Sequence, residues 1–95
     1  MPKTQVVIVT GMSGAGRSTA ANVLEDNGFF VVDNLPPTLI PSVADEAGLL
    51  DGRRERLAVV VDMRGDVTNE DLDEARRGLL SRGIRTTILF LDADE

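Results

Sequence analysis

The sequence is short and acidic, and it lacks two residue types that carry much protein chemistry. It has 95 residues, a formal net charge of −6, no cysteine and no histidine. This length allows one domain with a small core, and the composition excludes disulfides, cysteine-based zinc sites and histidine acid–base catalysis. The acidic balance also disfavours a general nucleic-acid-binding surface, because phosphate contacts need clustered Lys and Arg.

The chain shows no targeting or membrane pattern. Residues 1–4 lead directly into a short apolar run, which is not the pattern of a signal peptide, and no apolar stretch approaches transmembrane length. We therefore expect a cytoplasmic protein without a membrane partner.

The first predicted elements are a strand, a glycine-rich loop and a helix. The apolar run Val6–Val9 predicts a buried strand, and residues 18–25 predict the first turns of a helix. Between them, residues 11–18 follow the phosphate-binding pattern G-x-x-x-x-G-K-[ST], except that Arg17 replaces the lysine. Such a loop binds phosphates through backbone N–H groups and the helix N-terminus. The predicted nucleotide-binding residues are Gly11, Met12, Ser13, Gly14, Ala15, Gly16, Arg17, Ser18 and Thr19.

Two other interpretations of this loop compete with phosphate binding. One is a glycine-rich turn with no ligand. The other is the dinucleotide fingerprint G-x-G-x-x-G, to which Gly14 and Gly16 would supply the first two glycines. Thr19 stands at the third glycine position, and this scheme gives Gly11 and Ser18 no role, so the phosphate loop fits the sequence better.

A second strand is predicted at residues 29–32. Gly28 is a typical stop for the preceding helix, and the strand ends at Asp33. Residues 34–37 read Asn-Leu-Pro-Pro, which predicts an extended turn because residues before proline avoid the helical region. A short helix at about residues 38–47 is expected next.

Asp33 is a candidate catalytic residue because it follows the carboxyl end of a predicted strand. Open α/β sheets bind ligands at that edge. Its carboxylate would serve as a base for a phosphate acceptor, or would orient water or metal. A turn-forming role together with Asn34 is the structural alternative.

The second half of the chain predicts two further strands around one helix. The continuous apolar run Leu57–Asp62 predicts a strand buried on both faces, after a polar loop at residues 48–55. Helix-start residues at 68–71 and an apolar repeat that continues to Gly83 predict a helix. Residues 86–91 predict the fourth strand.

Asp62 closes its apolar run in the manner of a Walker B acid. We expect Asp62 and the Ser18 hydroxyl to hold Mg²⁺ beside the nucleotide phosphates, with Asp62 also a catalytic candidate. Asp33 and Asp62 at the same sheet edge would create negative charge that favours the bound cation. The alternatives are an acid that caps the next turn and a hydroxyl that caps the helix.

The alternation of strands and helices predicts a doubly wound parallel α/β sheet in three α/β/α layers, the fold of P-loop NTPases. Doubly wound sheets usually carry more than four strands. We therefore expect a fold truncated after the fourth strand, with residues 1–95 as the N-terminal part of a nucleotide-binding domain.

Several short segments together resemble one family. They are Gly-Met-Ser-Gly-Ala-Gly-Arg-Ser-Thr at 11–19, Leu-Glu-Asp at 24–26, Val-Asp-Asn-Leu-Pro-Pro at 32–37, Asp-Met-Arg at 62–64 and Leu-Phe-Leu-Asp-Ala-Asp at 89–94. This combination resembles the RapZ/YvcJ family of P-loop nucleotide-binding proteins, known as RNase adapter proteins in enterobacteria. The resemblance covers nearly the whole chain but only the beginning of the family's longer polypeptide.

The resemblance implies binding of ATP or GTP with slow Mg²⁺-dependent hydrolysis and a regulatory role. It assigns residues 11–18 to the phosphates and a Walker B-like role to Asp62. The arginine at position 17 resembles an actinobacterial branch of the family. The family's RNA binding and sugar-phosphate sensing belong to a carboxyl-terminal domain outside this chain, so an RNA or protein partner is expected only there. Assembly into a homo-oligomer stays open.

Two other function classes remain as alternatives. A small-molecule P-loop kinase would use Asp33 as the base for its acceptor. An interaction module with a degenerate loop would bind no nucleotide. The guanine motif Asn-Lys-x-Asp does not occur in the chain, and the sequence does not distinguish ATP from GTP.

Overall fold

A computed structural model describes residues 4–11, 14–46, 55–62 and 68–91. The elements in chain order are β1 (Gln5–Gly11), α1 (Gly14–Asp26), β2 (Phe30–Val32), a 3₁₀ helix (Pro37–Leu39), α2 (Ile40–Glu46), β3 (Arg56–Asp62), α3 (Asn69–Ser81) and β4 (Arg85–Leu91). The loop predicted at residues 48–55 lies outside the described residues except for Glu55. Within the described ranges, no helix is long and apolar enough to cross a membrane.

The strands form one parallel sheet of four strands in the order β2-β3-β1-β4. β1 and β3 run side by side at its centre, in register from Gln5 opposite Arg56 to Gly11 opposite Asp62. Residues 6–10 and 57–61 are buried. Strands covered on both faces need apolar residues at successive positions, which explains the unbroken runs of Val, Ile, Leu and Ala at residues 6–9 and 57–61.

Helices cover both faces of the sheet. On one face, Leu24 and two alanines of α1 pack against Val7, Val9 and Val60. On the other face, residues of α2 and α3, among them Ile40 and Leu79, join a larger core with alternate residues of β1 and β3. The expected three-layer α/β/α sandwich is confirmed.

Several predicted boundaries differ from the structure by one to four residues. α1 begins at Gly14 rather than Ser18, because a glycine-rich loop can wind directly into a helix although glycine is a poor helix former. The helix expected at 38–47 is a 3₁₀ turn followed by α2, and Pro41 lies in the first turn of α2, where its missing N–H group costs nothing. β2 starts at Phe30, one residue later than expected.

Glycines end both long helices, as predicted. Gly28 and Gly83 have φ angles of 90° and 78°. In each case the glycine N–H bonds to a carbonyl three residues back, and the following N–H bonds to one five residues back. This is the Schellman arrangement, which satisfies carbonyls at a helix end and turns the chain back toward the sheet.

Arg56 stabilises the turn between α1 and β2 from the amino end of β3. Its guanidinium donates a hydrogen bond to the Asn27 carbonyl at 3.0 Å and lies 5.9 Å from the centre of the Phe29 ring. Both contacts are structural, and they lie at the sheet end opposite to the carboxyl edge.

Candidate functional site

The phosphate loop and two strand ends meet at the carboxyl edge of the sheet. β1 ends at Gly11, whose Cα is paired with that of Asp62, the last residue of β3. Asp33 directly follows β2, the other neighbour of β3. α1 begins three residues after Gly11, so its N-terminus belongs to the same edge. Ligands of doubly wound sheets bind at such an edge.

The backbone at Gly11 has a conformation that only glycine adopts readily. Its φ angle is 149°, in a region where a Cβ atom would be strained. This angle turns the chain out of β1 and into the loop. Met12 and Ser13, predicted to contact phosphates, lie outside the described residues. Gly14 and Ala15 are described only through their backbone.

Arg17 bridges the two ends of the phosphate loop. Its side chain is half-buried, and Nη1 donates a hydrogen bond of 2.6 Å to the carbonyl oxygen of Gly11, six residues earlier. A bond from an ionised donor is stronger than a neutral one, so it holds the loop closed on itself. A guanidinium has five N–H donors in a planar fork, which lets one side chain bond both a loop carbonyl and phosphate oxygens.

A pocket of about 200 Å³ lies beside this loop. It is lined by Arg17, Ser18, Ala21, Asp33 and Val60. The structure thus brings together two predicted nucleotide-binding residues, Arg17 and Ser18, of which Ser18 is also a predicted metal ligand, and the predicted catalytic residue Asp33. The first two come from α1, and Asp33 reaches the pocket from the end of β2. Thr19, exposed at the next position of α1, is not among the lining residues.

Two lining residues were not predicted from the sequence. Ala21 follows Arg17 by four residues, so both lie on the same face of α1. Val60 precedes Asp62 by two residues, so the two positions share a face of β3 by the alternation of a strand. Helical and strand periods, counted from the motif residues, would have identified both.

Asp62 is described only through its backbone. Pairing with Gly11 places it at the loop, on the strand next to β1. The metal-binding and catalytic roles predicted for its carboxylate concern a side chain outside the described part of the structure.

The described residues suit a hydrated magnesium ion bound together with phosphates. Ser18 offers a hydroxyl and Asp33 a carboxylate in the same pocket. Magnesium usually takes one or two protein carboxylates, substrate phosphates and several waters. No group of three or more His, Cys, Asp or Glu residues that could hold a metal occurs among the described residues. The Ser18 hydroxyl and the Asp33 carboxylate fit a cation that the nucleotide brings with it.

A second cavity, of about 310 Å³, lies on the opposite face of the sheet. Residues of the 3₁₀ helix, α2 and α3 line it: Pro37, Thr38, Pro41, Asp71, Glu74 and Ala75. Asp71 belongs to the capping box of α3, in which its carboxylate accepts a hydrogen bond from the Thr68 N–H. The lining residues include two carboxylates, Asp71 and Glu74, and no Lys, Arg or His. This cavity therefore does not suit an anionic ligand.

Solved structures resemble this fold at low sequence identity. A de novo designed protein with the P-loop NTPase fold matches 97% of the chain and 64% of its own length, with a TM-score of 0.69 and 13% identity. The APS kinase CysC of Mycobacterium tuberculosis, as a Cys556Ala mutant in that protein's numbering, matches 98% of the chain and 78% of its own length, with a TM-score of 0.65 and 22% identity. The chain thus has the P-loop NTPase fold, in agreement with the fold class expected from the sequence.

Curated relatives are considerably more similar in sequence. A nucleotide-binding protein of Kocuria rhizophila is 48% identical over 94 residues, 99% of this chain and 31% of the relative. One of Thermobifida fusca is 50% identical over 91 residues, and one of Clostridium kluyveri is 49% identical over 89. The chain spans about 30% of the length of each of these relatives.

The family comparison covers nearly all of the chain. The profile of the RapZ-like N-terminal domain matches residues 4–95. That range includes the phosphate loop, the turn after β2 and the end of β3, which form the carboxyl edge of the sheet. The chain therefore belongs to the RapZ-like N-terminal domain family, as its motifs suggested.

Proposed function

We propose that this chain is a nucleotide-binding regulatory domain that hydrolyses ATP or GTP slowly with Mg²⁺. The observation that carries the proposal is the pocket in which Arg17, Ser18 and Asp33 meet at the N-terminus of α1. A cation and a helix N-terminus suit the phosphates, and a hydroxyl with a carboxylate suits hydrated magnesium. The names of the curated relatives, all nucleotide-binding proteins, support it.

Each residue has a role in this proposal. The backbone of residues 11–19 and the Arg17 guanidinium bind phosphate oxygens, and Arg17 offsets charge that develops during phosphoryl transfer. Ser18 and Asp62 would hold Mg²⁺. The bound cation would neutralise negative charge on the phosphate oxygens. Asp33 accepts hydrogen bonds from water in the pocket, both the attacking water and water on the cation.

Hydrolysis is expected to be slow because the pocket is open to solvent at its carboxylate. Asp33 is exposed, so bulk water competes for the hydrogen bonds that would orient an attacking water. Slow hydrolysis suits a regulatory switch, since the nucleotide stays bound long enough for a partner to recognise the nucleotide-bound form.

We also propose that residues 1–95 are the N-terminal part of a longer cytoplasmic nucleotide-binding protein. The length of the relatives supports this, and so does the edge strand β4, where Leu89 and Phe90 are 40% and 64% exposed. RNA or protein partners would then bind the rest of the polypeptide.

The position of Asp33 favours one alternative, a small-molecule kinase. A carboxylate beside Ser18 can take the proton of an acceptor hydroxyl during phosphoryl transfer. Analysis of the products distinguishes the two functions: a hydrolase releases inorganic phosphate in proportion to nucleoside diphosphate without any acceptor, whereas a kinase forms diphosphate only when an acceptor is present.

The test is calorimetric binding of ATP and of GTP, with Mg²⁺ and with EDTA. We expect saturable binding that Mg²⁺ strengthens, and Ser18→Ala should remove most of that strengthening. Ser81→Ala is the matched control, because Ser81 is exposed and its hydroxyl donates a hydrogen bond to the Gly78 carbonyl of its own helix. Absence of binding to either nucleotide would contradict the proposal and favour an interaction module.

A further inference from the structure

Asn34 has an unusual backbone conformation directly beside the pocket. Its φ angle is 59°, and it is the one residue other than glycine with a positive φ in the described ranges. Its side chain is exposed, so packing does not explain the choice of residue. Asparagine is among the few residues that adopt this left-handed conformation at low cost.

The chain is anchored on both sides of Asn34. On one side Val32 is paired with Val59 of β3, and on the other the Leu35 N–H donates a hydrogen bond of 3.2 Å to the Val60 carbonyl. Because an N–H in a parallel ladder bonds to the carbonyl one residue before its Cα partner, this bond sets Leu35 opposite Val61, and the chain advances by three residues while β3 advances by two. At Asp33 and Asn34 the chain therefore departs from the regular hydrogen-bond ladder with β3, as it does in a β-bulge.

The core holds this bulge in place. The side chains of Val32 and Leu35 both pack against the larger core, on the face that α2 and α3 cover. Asp33 lies between them and lines the pocket with Ser18 and Val60. A bulge redirects a side chain that a regular strand would direct elsewhere, and such bulges are frequent next to active sites.

We propose that Asn34 is a positioning residue, whose left-handed backbone sets the Asp33 carboxylate in the pocket beside Ser18. Asn34 itself contacts neither nucleotide nor metal. It acts through Asp33, whose carboxylate accepts hydrogen bonds from the water shell of Mg²⁺. This inference rests on the proposed function, because it assigns Asp33 to the nucleotide-bound cation.

The test uses the factor by which Mg²⁺ increases nucleotide affinity, measured as the ratio of Kd in EDTA to Kd in Mg²⁺. This is a binding readout and does not depend on turnover. Asp33→Asn should reduce the ratio, and Asn34→Val should reduce it by about tenfold, because a β-branched residue opposes the left-handed conformation. Asn34→Gly should keep a ratio close to that of the unchanged chain, since glycine adopts this conformation freely.

Two controls distinguish a displaced Asp33 carboxylate from general damage to the fold or to the phosphate loop. Affinity in EDTA should stay within about twofold for the two Asn34 variants, because they leave the phosphate loop and the Asp33 carboxylate in place, and thermal unfolding of each variant shows that it folds. Asn22→Val places the same substitution at an exposed site on α1 that does not line the pocket. It should leave the ratio unchanged.

A double variant tests whether Asn34 acts through Asp33. Asp33→Asn combined with Asn34→Val should show the same ratio as Asp33→Asn alone, because the second change has no carboxylate left to misplace. Additive losses, or a glycine variant as impaired as the valine variant, would overturn the inference. If the unchanged chain binds nucleotide but Mg²⁺ does not strengthen that binding, the inference fails while nucleotide binding stands; if it binds no nucleotide, the proposed function fails first.

Discussion

At the scale of single residues, the Arg17 contact gives the departure from the lysine motif a structural meaning. The guanidinium reaches the Gly11 carbonyl and so joins the start of the loop to the first turn of α1. Sequence comparison with the motif identified the position, but it did not predict this contact, because a side-chain bond to a backbone carbonyl leaves no pattern in the sequence. For Asn34 the sequence predicts only a turn role, because its left-handed φ depends on how the chain pairs with β3.

Substitutions of Arg17 should distinguish the effect of its positive charge on nucleotide binding from the effect of its planar guanidinium group. We expect Arg17→Lys to keep nucleotide binding and to preserve or raise turnover, because an ammonium can contact the same phosphates as a point charge. Arg17→Ala should weaken nucleotide binding by about 10- to 100-fold, the usual effect of losing a charge-assisted hydrogen bond. Calorimetry measures both, with Arg82→Ala at the exposed C-cap of α3 as the matched control. A sharp loss of binding in Arg17→Lys would show that the loop requires the guanidinium.

Substitution of Gly11 should affect both stability and binding. An alanine at φ of 149° is strained, and we expect Gly11→Ala to lower the free energy of unfolding by about 1–3 kcal/mol and to weaken nucleotide binding. Gly83→Ala is the matched control, since its φ of 78° is also strained but it ends α3. It should lower stability without changing affinity. Equal effects on affinity would argue that Gly11 shapes no phosphate site.

At the scale of elements, apolar patterning predicted most of the fold. The strands at 57–62 and 86–91 and the helix before Gly83 were found because buried strands and amphipathic helices have distinct periods. The helix start in the glycine-rich loop was missed, because intrinsic propensity disfavours the glycines that phosphate binding requires. The bulge after β2 was missed as well, since it depends on pairing with β3, which is distant in sequence.

Two neighbouring leucines test how α3 packs. Leu79 is fully buried, whereas the side chain of Leu80 is 47% exposed. We expect Leu79→Ala to lower the free energy of unfolding by about 2–5 kcal/mol, from lost burial and the cavity it leaves. Leu80→Ala should cost less than about 1 kcal/mol. Urea denaturation measures both, and similar losses for the two would contradict the packing of α3 on the sheet.

At the scale of the whole molecule, topology explains why distant segments form one site. In the order β2-β3-β1-β4, the strand that precedes the loop lies beside the strand that ends at Asp62, and β2 brings Asp33 to the same edge. The motifs indicated each part from the sequence alone. Which of these residues line one pocket depends on the strand order. No local segment of the sequence predicts that order.

We expect nucleotide to bind at the carboxyl edge of the sheet, and an NMR titration of the chain tests this claim. The chain of 95 residues is well suited to measurement of backbone amide shifts during addition of ATP or GTP with Mg²⁺. We predict saturable shifts that are largest at Gly11, at Gly16 to Thr19 and at Asp33. Absence of saturable shifts would contradict the claim. So would shifts confined to the acidic cavity between the 3₁₀ helix and α3, because the ligand would then bind on the opposite face.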